Sequence, residues 1–232
     1  MVQPCLDELL GTVAHELRNP LASVLSGVGV IASECDLAPF ARWALSGMEQ
    51  QLRQAMRLVD DLFDLTAGSL HKLSLCKEVV TLADVVAGAT ETADHLLSAR
   101  RHRLTVSLPP GPVYLQADPL RLEQVLTNLL TNAAKFTDPG GHVRLTAVVE
   151  AGQVVLRVRD DGRGIAPDLL PRVFDLFHQG PGTPRTGGLG VGLALVKSLV
   201  ELHGGSVAAQ SDGPGTGSEF VLCLPVGAHG AC

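Results

Sequence analysis

Two long stretches of the chain carry apolar residues at helical spacing. Leu6, Leu10, Val13, Leu17, Val24, Val28 and Ile31 recur at steps of three, four or seven, and Leu45, Met48, Leu52, Ala55, Val59, Leu62 and Thr66 repeat the pattern. Both stripes have coiled-coil spacing. Between them, Ser33-Glu34-Cys35-Asp36-Leu37-Ala38-Pro39 forms a short polar segment ending in a helix-starting proline. The pattern predicts a helical hairpin that closes at Gly68 and Ser69. One hairpin leaves much of its apolar stripe uncovered, so a homodimeric four-helix bundle is expected, ahead of a hairpin folded back on its own chain.

Beyond Gly68 the pattern shortens. Leu104 to Leu108 alternates like a strand and is broken by Pro109-Pro110-Gly111-Pro112. Val143 to Val149 and Val154 to Val158 alternate on either side of Ala151-Gly152, which predicts a hairpin. Asp118 to Ala134 reads as a helix capped by Asp118 with Pro119 first in the helix, and Gly190 to His203 as another, closed by Gly204-Gly205. Ser206 to Ala209 and Glu219 to Leu224 read as closing strands. The expected fold class is α+β: an N-terminal helical hairpin, then an α/β sandwich with helices on one face of a sheet.

Composition narrows the partners. Apolar residues make up 46% of the chain but aromatics only 3%, so the core must be built from Leu, Val and Ala. The net charge is -6 with no long basic run, which argues against nucleic acid, whose phosphates need clustered Lys and Arg. Cys5, Cys35, Cys76, Cys223 and Cys232 form no CxxC pair and no even framework, and read as reduced thiols of a cytoplasmic protein. The longest uncharged run, between Arg18 and Glu34, is interrupted by Pro20, Gly27 and Gly29 and is shorter than the ~20 residues of a membrane span. No membrane span or secretory leader is expected in this chain.

The candidate chemistry begins at His15, on the helix face opposite Leu10, Val13 and Leu17. An exposed histidine is usually only surface, but Glu16 follows it, Asn19 lies one turn on, and Pro20 removes the backbone donor that Glu16 C=O would use. Neutral imidazole keeps a free lone pair at pH 7, and a neighbouring carboxylate can take the proton released when the other nitrogen attacks phosphorus. Asn128 and Asn132 share a helix face and are followed by Lys135 and Phe136. An ordinary polar face is the plain reading. The chemical one is a Mg²⁺ and phosphate site, with an amide oxygen for the ion, an ammonium for phosphate and an aromatic face for a purine. Asp160-Asp161-Gly162-Arg163-Gly164-Ile165 ends a strand, where Asp160 can accept from an exocyclic amine and Gly162 and Gly164 let a flat base approach. Gly187-Gly188-Leu189-Gly190-Val191-Gly192-Leu193 enters a helix with exposed N–H groups, an anion site that is neither a Walker loop nor a Rossmann fingerprint. Pro181 to Thr186, which includes Arg185, reads as a mobile lid, with Phe174 and Phe177 just before it either packing that lid or sitting in the core.

Together these segments resemble the sensor histidine kinases of two-component signalling. His15 to Leu21 matches the family's H box, Asn128 to Thr137 (NLLTNAAKFT) its N box, and Asp160 to Ile165 its G1 box. Phe174-Asp175-Leu176-Phe177 matches its F box and Gly187 to Leu193 its G2 box, all in the family's order. The resemblance implies a dimerisation and phosphoacceptor domain over residues 1–69. It implies an ATP-binding domain over 77–226, of the kind shared with gyrase, Hsp90 and the mismatch-repair ATPases. It implies that His15 is phosphorylated with Glu16 assisting and Asn19 acting on the same face, that Asn128 and Asn132 serve the ATP site, and that Asn132 binds Mg²⁺. By the same resemblance Lys135 meets phosphate, Phe136 and Phe177 border the nucleotide, and Asp160, Gly162 and Gly164 hold adenine. Arg185, Gly188, Leu189, Gly190, Val191, Gly192 and Leu193 line the phosphates. The phosphoryl group would then pass to an aspartate of a response-regulator receiver domain.

Two departures stand out. Leu189 replaces the hydroxyl residue common in the family, and His178 follows the F box where other residues are usual. Two other functions compete: a degenerate kinase serving as a receiver-docking scaffold or phosphatase, and an ATPase. Intact His15, Asn132 and Asp160 oppose the first. Asn128 opposes the second, because it stands where those ATPases place a glutamate base, and an amide cannot take a proton from water.

Overall fold

A computed structural model of the chain describes residues 17, 21–32, 41, 45, 48, 52, 75–178 and 190–227. The chain divides into two compact units, Met1–Leu73 and Ser74–Cys232.

In the first unit residues 21–32 are helical, as are the described positions 41, 45, 48 and 52. Val28 is buried, with Leu25 and Leu21 half-buried on the same side, one and two turns before it. Leu17, Val24 and Ile31 lie at seven-residue steps on a second seam and stay 45%, 52% and 50% exposed. The first helix therefore carries two apolar seams, one covered within the chain and one not.

The second unit begins with β1 (Glu78–Thr81), α1 (Leu82–Ala99), β2 (Arg103–Ser107) and β3 (Tyr114–Ala117). It continues with α2 (Pro119–Phe136), the hairpin β4 (His142–Glu150) and β5 (Gln153–Asp160), α3 (Gly192–Leu202), β6 (Ser206–Gln210) and β7 (Ser218–Pro225). Asp118 caps α2 as its pattern requires, accepting from Arg121 N–H at 3.2 Å, with Pro119 in the first turn. The β4–β5 turn is Ala151-Gly152, both at positive φ (49° and 75°), the geometry of a two-residue hairpin loop. The third helix starts at Gly192 rather than Gly190, because Gly190 has φ +73°, which no right-handed helix accommodates. Helix α1 fell outside the sequence reading. Thr81 caps it through Asp84 N–H, and its buried stripe is Leu82, Val85, Val86, Ala89, Ala93 and Leu97.

A five-stranded sheet runs in the order β2-β4-β5-β7-β6, and β1 pairs with β3 in a separate two-stranded sheet. β2 and β4 are parallel, so the connection between them passes through α2, while the other neighbours are antiparallel. Helix α1 packs on α2, α2 on α3, and α2 and α3 rest on the sheet. The core between them is aliphatic, as composition demands. Leu122, Leu126, Leu129 and Leu130 of α2 and Leu195 and Leu199 of α3 meet Leu145, Leu156 and Leu222 of the sheet, all essentially unexposed. Each such leucine contributes about 1.5–3 kcal/mol of burial free energy.

One polar contact ties the far ends of α2 and α3. His203, 4% exposed, donates from Nδ1 to Leu199 O at 2.8 Å and accepts at Nε2 from Asp118 N–H at 3.1 Å. Both bonds hold only for the neutral Nδ1–H tautomer. Asp118 Oδ2 also accepts from Cys76 N–H at 3.0 Å, and Lys77 Nζ donates to Leu202 O at 3.0 Å, so the incoming strand is bound to the same corner. Burial lowers the His203 pKa below 6.5; the Lys77 charge lowers it too, against the Leu199 bond and Asp118, which raise it.

A depressed histidine pKa favours the neutral ring in the fold. Its stabilisation is then complete above about pH 6.5 and is lost as pH falls toward the lower folded value. Urea midpoints of the wild type should drop between about pH 7 and pH 5 more steeply than those of His203→Gln, which has no proton to gain. Parallel curves for the two proteins would remove His203 as the source.

Candidate nucleotide-binding site

Strand β5 ends on Asp160, whose side chain is sunk into the unit with 4% exposure. Its Oδ1 accepts from Gly162 N–H at 2.9 Å and Ser218 N–H at 3.3 Å, and its Oδ2 accepts from the Ser218 hydroxyl at 2.5 Å. Three donors leave acceptor capacity on the carboxylate for a fourth. The turn that follows is pressed between two pieces of backbone. A Cβ on Gly162 would strike Phe136 O, one on Gly164 (φ +69°) would strike Gly213 O, and one on Gly217 (φ +77°) would strike Asp160 O. Only glycine allows this approach. Arg163 N–H donates to Phe136 O at 3.0 Å, Gly217 N–H to Gly162 O at 3.0 Å, and Asp161 Oδ1 accepts from His142 N–H at 2.8 Å. The turn is thereby tied to the end of α2, to the start of β7 and to the start of β4.

Helix α2 supplies one wall. Asn128, Asn132 and Lys135 fall on one face at spacings of four and three, and all three are half-buried. Asn128 faces the start of α3, where a Cβ on Gly192 would lie 3.8 Å from its Oδ1. Its Nδ2 is buried and has no hydrogen-bond partner among the described residues. A buried amide left open beside a glycine helix start, whose first N–H groups have no partner within the helix, is what a site completed by a polar ligand presents.

The end of α2 gathers cations. Arg100 Nη1 donates to Ala134 O (3.4 Å) and Lys135 O (3.1 Å), and His102 Nε2 donates to Ala134 O at 2.9 Å. These bonds satisfy helix-end carbonyls that have no partner within the helix. The Arg163 guanidinium lies 4.2 Å from the centroid of the Phe136 ring and Lys135 Nζ 5.4 Å from it. A cation–π contact at an exposed position is worth about 0.5–1 kcal/mol. Lys135 has its pKa lowered, first by burial and then by the charges of Arg163 and Arg100.

On the far side, Phe177 N–H donates to Gly190 O at 3.0 Å, so the segment ending at His178 and the one beginning at Gly190 lie side by side. Phe177 holds φ +60°, an uncommon conformation for an aromatic residue, and is 53% exposed. Phe174 instead is half-buried and packs edge-on against the buried Phe220 at 6.3 Å. Val191 is buried and Leu193 half-buried. His178 is half-buried with an Nε2 that has no partner among the described residues, for which we have no physical account.

The structure brings Gly162, which Asp160 holds, against Phe136 at the end of α2, sets Gly164 against Gly213, and places Asn128 against Gly192 and Gly190 against Phe177. His15, Glu16, Asn19, Arg185, Gly188 and Leu189 lie outside the described residues. Sequence reasoning missed Ser218, Arg100 and the side-chain role of Arg163. Ser218 and Arg100 are distant in sequence from the groups they hold, and no local motif marks them.

Two family models match the chain in order. One, described as the His Kinase A (phospho-acceptor) domain, matches residues 6–68. The other, described as a histidine kinase-, DNA gyrase B- and HSP90-like ATPase, matches residues 117–228. The chain is 36% identical to the sensor histidine kinase TrcS of Mycobacterium tuberculosis, over 88% of this chain and 41% of that protein. It is 30% identical to the sensor protein KdpD of Clostridium acetobutylicum, over 94% of this chain and 24% of that one. Among solved structures it is similar to full-length ShkA in complex with AMPPNP, with a TM-score of 0.77, 29% identity and coverage of 97% of this chain and 47% of that one. It also resembles the Acinetobacter baumannii histidine kinase AdeS, with a TM-score of 0.64, 26% identity and coverage of 91% and 98%. The chain spans less than half the length of the curated relatives TrcS and KdpD.

Proposed function

Because the chain belongs to the sensor histidine kinases of two-component signalling, we propose that it transfers the γ-phosphoryl group of ATP to His15 and then to an aspartate of a response-regulator receiver domain. The observation that carries this reading is the site around Asp160: a buried carboxylate with spare acceptor capacity, an unpartnered Asn128 amide facing the glycine start of α3, and cations at the end of α2. On this reading residues 1–69 are the dimerisation and phosphoacceptor domain and residues 77–226 the ATP-binding domain.

Each residue then has a role. Asp160 accepts from the adenine amino group, Gly162 and Gly164 give the base room, and Phe136 and Phe177 border it. Lys135 meets the phosphates with its ammonium, and Gly188, Gly190 and Gly192, with Leu189, Val191 and Leu193, offer backbone N–H groups to them. Arg185 adds a second charge. Asn132 would hold Mg²⁺ through its amide oxygen, and the ion would supply charge neutralisation for the transferring group. The donor set suits an ion brought in with the phosphates, since the described residues hold no group of three His, Cys, Asp or Glu. One imidazole nitrogen of His15 bonds to phosphorus as the bond to the ADP oxygen breaks, and Glu16 takes the proton from the other nitrogen. Asn19, an amide that holds a water without deprotonating it, suits dephosphorylation of the receiver. Asn128, in place of a glutamate base, favours transfer over hydrolysis.

The homodimer is favoured by the uncovered seam of Leu17, Val24 and Ile31, which a second hairpin would bury. Among the described residues no helix is long and apolar enough to cross a membrane. We place this chain's work in the cytoplasm, where ATP and receiver domains are available.

Incubation with γ-labelled ATP and Mg²⁺ should label the wild type and leave His15→Gln unlabelled, while both bind a non-hydrolysable ATP analogue alike. Label persisting in His15→Gln would sink the assignment. Val24 is exposed in a single chain, so Val24→Asp should leave each hairpin folded and yield monomers by light scattering. A wild type that is itself monomeric at micromolar concentration would contradict the dimer.

A further inference from the structure

The cations at the end of α2 differ in what they are doing, and this carries an inference that rests on reading the site as a nucleotide site. Arg100 has its guanidinium engaged by Ala134 O and Lys135 O, and its work is to hold the helix end. Arg163 is exposed, and among the described residues its guanidinium rests on the Phe136 ring. Among the described residues no carboxylate pairs with Lys135, Arg163 or Arg100, so three like charges converge without a counterion. Such a cluster is costly until an anion arrives. The Arg163 backbone cannot leave, because its N–H is bonded to Phe136 O, its C=O accepts from Gly215 N–H, and glycines on either side are wedged against neighbouring backbone. Its side chain is free to swing from a fixed base close to Lys135. A cation–π contact between an exposed guanidinium and the half-buried Phe136 ring is weaker than a charge-assisted hydrogen bond to phosphate, and a guanidinium matches phosphate oxygens in pairs.

We propose that Arg163 is a specificity-determining residue that reads the charge of the nucleotide's phosphate chain, its guanidinium leaving the Phe136 ring for the phosphate oxygens and thereby uncovering that face of the ring for the base. No bond is made or broken; one weak contact is exchanged for a stronger one. The exchange couples the two ends of the ligand, since the phosphates draw off the group that covers the ring.

Calorimetric titration of the full chain with ATP, ADP and AMP tests it, using wild type, Arg163→Gln and Arg163→Lys. Arg163→Gln should lower ATP affinity about tenfold and AMP affinity less than about twofold, narrowing the preference for triphosphate over monophosphate. Arg163→Lys should recover part of that preference, having the charge without the planar fork. Equal losses for ATP and AMP would make Arg163 a mere cover for the ring and overturn the proposal, as would no loss for either. A wild type that binds none of the three would overturn the nucleotide reading itself, and the inference with it.

Discussion

The site depends on the carboxylate of Asp160. It is buried at the end of β5 and accepts from Gly162 N–H, Ser218 N–H and the Ser218 hydroxyl. Left without partners, a group of this kind is expensive to bury, and left without Asp160, the three donors would each cost about 1–3 kcal/mol. The bonds fix where the chain turns after β5 and where β7 begins. The glycines at 162, 164 and 217 follow from that, because the turn is drawn so close to Phe136, Gly213 and Asp160 backbone that no Cβ fits. The fixed turn then delivers Arg163 to the end of α2. A carboxylate that organises its own surroundings keeps acceptor capacity to spare, and on the proposed reading that capacity would meet the amine of a base.

Charge is distributed on the same logic. The last carbonyls of α2 would face the site without partners, and Arg100, His102 and Arg163 N–H take them up. This steadies Lys135 and Phe136 and concentrates positive charge around them. Lys135 bears the cost, its ammonium disfavoured by burial and by Arg163 and Arg100. On the nucleotide reading proposed above, phosphate would relieve all of these at once. At the opposite corner the demand is reversed: His203 is held neutral so that it can accept from Asp118 N–H and join the far ends of α2 and α3. The two helices that border the candidate site are thus clamped at the ends away from it.

Much of this was legible in the sequence where the signal is local. Alternation marked β4 and β5, Asp118-Pro119 marked the start of α2, and Ala151-Gly152 marked the turn. The family was legible because glycine, asparagine and aspartate at those spacings have few other uses together. Helix α1 was not. Its buried stripe runs through Leu82, Val85, Val86, Ala89, Ala93 and Leu97, and the alanines in its middle weaken the apolar signal that local pattern carries. The parallel pairing of β2 with β4 joins strands separated by a helix, which local pattern does not report. Ser218 reaches Asp160 across 58 positions, and Arg100 reaches Lys135 O across 35. Phe174 and Phe177 look alike in sequence, yet one packs on Phe220 and the other turns outward at positive φ.

Replacing Asp160 by asparagine tests the central claim most directly. The amide keeps one oxygen for Gly162 N–H and Ser218 N–H, and its NH₂ can donate to the Ser218 hydroxyl, so the internal bonds survive. Toward a ligand, however, a donor now stands where an acceptor stood. Titration with a non-hydrolysable ATP analogue, alongside thermal unfolding, separates the two roles. The account predicts a folded Asp160→Asn protein whose affinity is about tenfold to a hundredfold weaker, the loss of a hydrogen bond to a charged acceptor. Unchanged affinity in a folded Asp160→Asn protein would contradict it.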